Sequence, residues 1–91
     1  MRIEALRERF ICRMRADRQI VQVAWQQNDT STLKDCVHKL AGIAGSFGFV
    51  NVGDAAAAVQ HNLDHKIEIS LVDEAVMKLL QLLDIHGNSI D

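Results

Sequence analysis

The stretch His38-Lys39-Leu40-Ala41-Gly42-Ile43-Ala44-Gly45-Ser46-Phe47-Gly48 governs how the rest of the chain is read. At about 100° per residue, Leu33, Val37, Leu40, Ala44 and Phe47 fall on one apolar stripe, the face a helix turns toward a core. His38 lies to one side of that stripe, on the solvent flank. Gly42 and Gly45 stack on the same flank at i+4 and i+7, and Ala41 at i+3 is nearly as small. An interior glycine costs a helix roughly 1 kcal/mol relative to alanine, so two of them need a reason. One reason is access: a large partner that must touch the imidazole needs cleared ground beside it. The other is packing, in which the glycines admit a neighbouring helix.

Working outward, Asn28-Asp29-Thr30-Ser31 is a dense set of capping residues, which predicts a helix from about Thr30 to Phe47. Gly48 then supplies the left-handed position at which helices end. Upstream, Ile3, Leu6, Phe10 and Met14 recur at helical spacing, with arginines at 2, 7, 9, 13 and 15 around them. Their cationic side is expected to face solvent, with help in docking a partner as the alternative. Asp17 reads as the N-cap of a second helix running to about Gln27 and burying Ile20, Val21, Ala24 and Trp25. The pattern alone leaves open whether residues 2–27 are two helices or one bent one. Downstream, Asn51 with Asp54 resembles a capping box ahead of Val52, Ala55, Ala56, Val59 and Leu63. The small side chains of Ala55–Ala58 let this helix approach another closely. Ser70 with Asp73 opens the last helix in the same way; Val72, Val76, Leu79, Leu80 and Leu83 form its stripe, and Gly87 is its stop.

The expected fold is therefore all-α: an antiparallel up-and-down four-helix bundle with a short extra N-terminal helix. Ninety-one residues, no proline and few aromatics suit one domain spanning 1–91 with one modest core. A net charge of −2 gives no case for nucleic acid. No apolar run is long enough to cross a membrane and the charged N-terminus is not a signal peptide, so a cytoplasmic monomer is expected. Cys12 and Cys36 form no C-x-x-C pair and read as small apolar residues. His61 and His65 share a helical face as metal-binding pairs do, but two ligands make no site, and no metal is expected. His86 can meet a helix dipole near the C-terminus.

The central stretch resembles the signature of histidine-containing phosphotransfer (HPt) domains, roughly H-x-L-x-G-x-x-G-x-x-G. Leu40, Gly42, Gly45, Phe47 and Gly48 match at the family's spacing, and the resemblance continues through Phe49 and Asn51 into Asp54–Gln60. Ala41 departs from the lysine many members carry there, Lys39 stands at the next position back, and Gln60 replaces a commonly acidic residue. The resemblance implies that His38 accepts a phosphoryl group and exchanges it with an aspartate of a response-regulator receiver domain, with a hybrid sensor histidine kinase upstream. The chain has no glycine-rich phosphate loop to hold ATP, so it is expected to be a phosphocarrier, not an enzyme, with no cofactor of its own and Mg²⁺ on the partner. A neutral imidazole, with an ordinary pKa of about 6.5, is already a nucleophile at pH 7. Nε2 is its accessible nitrogen, with the Nδ1 proton held by water or a neighbour. Lys39 and Lys34 are the candidates for neutralising or steering the phosphoryl group, Gly42 and Gly45 for access, and Ser46 for the docking border. The rival readings are an adaptor or inhibitor that binds a receiver or kinase without taking phosphate, and a plain helical oligomerisation module.

Overall fold

The computed structural model describes residues 2–65 and 69–87, with side chains described for 6–65 and 72–86. The elements are α1 (Arg2–Gln26), α2 (Thr30–Ile43) followed by a 3₁₀ turn (Ala44–Phe47), α3 (Val50–Asp64) and α4 (Ile69–Gly87). Each helix packs on its neighbours in sequence, and α4 closes the ring against α1. This is the expected all-α four-helix bundle.

The N-terminal region differs from expectation. No separate extra helix precedes the bundle: α1 runs unbroken for 25 residues, roughly 37 Å at 1.5 Å per residue. Asp17 is not a cap. It points into the α1/α2 seam, 7 % exposed, and is held by Arg13 at 3.4 Å. With neither glycine nor proline between Arg2 and Gln26, nothing in the chain stops the helix there. Ile20 is 41 % exposed instead of buried, because Met14, Val21 and Ala24 define the core-facing side and Ile20 lies off it. Leu6 is likewise exposed, and the side chain of Ile3 lies outside the described residues.

Two helix ends share one device. Asn28 adopts φ 57°, and Asp29 N–H donates to Ala24 O (2.8 Å) while Asn28 N–H donates to Trp25 O (3.2 Å). Gly48 adopts φ 86°, and Phe49 N–H donates to Ala44 O (3.0 Å) while Gly48 N–H donates to Gly45 O (3.1 Å). Both are left-handed terminations that satisfy otherwise orphaned carbonyls. Asp29 then caps α2: its carboxylate accepts from Thr32 N–H (3.2 Å) and Thr32 Oγ1–H (2.6 Å), bonds that hold its carboxyl below the ordinary range.

The capping box expected at Asn51 and Asp54 does not form. Helix α3 starts at Val50, both residues lie within it, and no side chain caps it. Phe49 sets the entry instead, buried against Phe10 (5.7 Å between centroids) and His86 (5.1 Å). In the last helix, Ile69 precedes Ser70, whose side chain lies outside the described residues. Asp73 accepts the Trp25 indole N–H at 2.8 Å. That bond and the Arg18–Asp84 pair at 3.4 Å tie α1 to α4. Leu33, Val37, Leu40 and Ala44 are fully buried, as the stripe requires, and Phe47 stacks on Phe10 at 5.0 Å.

Candidate functional site

Because Leu33, Val37 and Leu40 are fixed in the core, the helical repeat turns His38 outward, over the α2/α3 seam. It is exposed, and its Nδ1 lies 2.9 Å from Gln60 Nε2 on α3. The carboxamide nitrogen can only donate, so Nδ1 accepts in this arrangement. Sequence pattern gave no reason to pair these residues, which are 22 positions apart. Antiparallel packing of α2 on α3 brings them together.

The two glycines beside His38 face open space. A Cβ built on Gly42 or on Gly45 meets nothing within 4 Å. The packing explanation therefore fails for both, and the flank beside His38 is open. The glycine that admits a neighbouring helix is Gly53 on α3, which sequence reading passed over. A Cβ there would lie 3.6 Å from Ala44 Cβ, 3.7 Å from Gly45 N and 3.8 Å from Ala41 O. Gly53 thus brings α3 close against the end of α2 and the turn that carries Gly45.

Lys34 and Lys39 flank His38 as expected, and each is ion-paired. Lys34 Nζ lies 3.4 Å from Asp64 on α3, and Lys39 Nζ lies 3.1 Å from Asp35 one turn back. Exposed pairs of this kind contribute about 0–1 kcal/mol, so either lysine can be drawn off by a stronger anion. Ser46 is exposed in the 3₁₀ turn, at the rim of a cavity of about 360 Å³ shared with Leu6, Arg7, Phe47 and Gly48. Arg7 lies over the Phe49 ring at 4.8 Å.

A family model for the Hpt domain matches residues 5–86. The chain belongs to the Hpt domain family. No match was found among curated proteins or among solved structures. Hpt domains are phosphocarriers in two-component signalling, and they interact with response-regulator receiver domains or histidine kinases.

The remaining ionisable groups lie elsewhere. In the α1/α2 seam the Cys36 thiol lies beside the Asp17 carboxylate. Burial, reinforced by the adjacent carboxylate, pushes the Cys36 thiol up to about 12, which leaves it unreactive. Burial also raises Asp17 above the ordinary carboxyl range, with Arg13 opposing. Both cysteines are free; Cys36 is buried as expected and Cys12 is exposed. His61 and His65 stack at 4.1 Å, and His65 Nδ1–H donates to the His61 carbonyl at 2.9 Å. Among the described residues no three His, Cys, Asp or Glu side chains converge as metal ligands, and no helix is long and apolar enough to cross a membrane.

Proposed function

We propose that this Hpt domain accepts a phosphoryl group on Nε2 of His38 and exchanges it with aspartates of response-regulator receiver domains. The observation that carries the reading is the open space at Gly42 and Gly45 beside an exposed His38. A receiver can lay its active site against that flank without meeting a side chain. Phosphoryl transfer depends more on positioning and charge neutralisation than on covalent help, and the partner's Mg²⁺ supplies most of the latter.

In the transfer step the Nε2 lone pair attacks phosphorus, the N–P bond forms as the aspartyl O–P bond breaks, and the electron pair leaves with the carboxylate. Nε2 has a free lone pair only when the ring proton sits on Nδ1. Gln60 is neutral and two-faced: a half-turn of its carboxamide replaces the Nε2 donor with the Oε1 acceptor, which then holds the Nδ1 proton. Lys39 and Lys34 exchange their surface carboxylates for phosphoryl oxygens or steer the acidic partner. His38 and its neighbours bind no nucleotide in this scheme, so the phosphoryl group comes from one protein and goes to another.

The test incubates the protein with a phosphorylated receiver or hybrid kinase and Mg²⁺, beside His38→Gln. Acid-labile, base-stable label on the wild type and none on the variant is the expected result. Label that persists in the variant would place the phosphate on another residue. Binding without label would favour the adaptor reading.

A further inference from the structure

The arginines of α1 take no part in the chemistry above, yet all six arginines of the chain lie on this helix, against three carboxylates. Residues 27–91 carry four lysines against nine carboxylates. A chain whose net charge is only −2 is thus electrically polarised, positive along α1 and negative over the rest.

The packing of α1 fixes where that charge acts. Arg13 reaches Asp17 in the α1/α2 seam, where Cys36 of α2 lies beside the same carboxylate and Lys39 lies close enough to act on it. Arg9 stands one turn before Arg13 on the same side of α1. It is exposed and makes no ion pair among the described residues. Arg9, Arg13 and Lys39 therefore flank α2 on the side opposite Gln60, and Lys39 adjoins His38. A standard interface covers about 800 Å² per partner, a disc of roughly 16 Å radius. Centred on His38, such a disc crosses α2, about 10 Å wide, and reaches this flank of α1.

We propose that the Arg9–Arg13 flank of α1 orients an acidic protein partner over His38. The inference rests on the phosphotransfer reading and assigns that docking surface its electrostatic half. A phosphoaspartate donor brings an anionic phosphoryl group and the carboxylates that hold its Mg²⁺, the chemistry this flank complements. A lipid surface fits poorly, because the apolar side of α1 (Phe10, Ile11, Met14, Val21) is already buried in the bundle. A nucleic acid fits poorly too, because the carboxylates of the other helices repel a long phosphate chain.

The experiment compares the second-order rate of phosphoryl transfer from a phosphorylated receiver to the wild type, Arg9→Glu and Lys78→Glu. Lys78 lines the α3/α4 groove with Asn51, Asp54 and Ala58, around the corner of the bundle, and its reversal changes the net charge by the same amount. Phosphoramidate, a small chemical donor that needs no flank, serves as the control for an intact His38. Arg9→Glu should be slowed about three- to tenfold at low salt, with the gap closing near 0.5 M salt. Lys78→Glu should match the wild type, and phosphoramidate should label all three proteins equally. Equal slowing of both variants, which is a net-charge effect, or slowing of neither, would overturn the inference. Absence of transfer to the wild type from every receiver would instead sink the phosphotransfer reading, and this inference with it.

Discussion

On one side α2 meets α1 through Met14, Asp17, Val21, Cys36 and Val37, all buried; on the other its outer edge meets α3 through His38, Gln60, Lys34 and Asp64, none of them buried. The first seam holds a carboxylate out of water with one guanidinium and one thiol for company. The second keeps its ionisable groups at the surface, bonded in pairs that a partner can rearrange. One helix carries both because its polar residues are spread over two flanks of a single apolar stripe. Burial makes the α1/α2 seam inert, whereas exposure and missing side-chain bulk make the α2/α3 edge available for chemistry.

The sharpest way to break the contrast is to fill the cleared ground. Gly42→Leu should fold, since its Cβ meets nothing within 4 Å, yet lose on the order of a hundredfold in the rate of transfer to His38 by displacing the partner. Circular dichroism and a phosphotransfer time course check both halves, and a folded variant with wild-type transfer would remove the access role of Gly42. Next in size, Gln60→Ala should slow transfer about tenfold while leaving helix content unchanged, because the ring loses the bond that orients it. Transfer undiminished in that variant would reduce Gln60 to a bystander.

On the sealed side, Asp17→Asn tests burial instead of chemistry. The Asp17 carboxyl titrates above its ordinary range in the folded protein, so the fold favours its protonated form. Stability from this group is fully present below the unfolded value of about 3.9 and is lost as pH rises through the folded value. The variant should therefore melt a few degrees above the wild type at pH 7, a gain of about 1 kcal/mol. Its lead should shrink as the pH falls through the raised folded value toward about 4 and stay constant below that, and a lead independent of pH would assign the gain to something other than ionisation. The smallest effect is Gly42→Ala, which adds one methyl in open space on a helix. It should raise stability by up to about 1 kcal/mol in a denaturant melt, with transfer slowed far less than in Gly42→Leu.

Much of this was legible in residue order. The stripe from Leu33 to Phe47 followed from periodicity, and the left-handed stop at Gly48 followed from the chemistry of glycine. The outward placement of His38 came with them, since a helix whose apolar face is known has its polar face determined too. Other assignments read a local signal that packing overrode. Asp17 has the side chain of a cap, yet it lies inside α1 because no backbone break precedes it and Arg13 bonds it. Asn51 and Asp54 have the spacing of a capping box, yet the buried ring of Phe49 sets where α3 begins.

Residue types and their spacing determined the all-helical bundle, the buried stripe and the exposed histidine, because each depends on neighbours within a few turns of one helix; they did not determine that residues 2–26 form one helix. The tertiary structure alone decided three further things. It chose Gln60 as the partner of His38, it assigned close packing to Gly53 and open space to Gly42 and Gly45, and it set Arg13 of α1 beside Asp17 and Cys36 in the seam with the His38-bearing helix. Each is a relation between residues on different helices, fixed by which faces pack together and at what register, and no periodicity within a single helix encodes it.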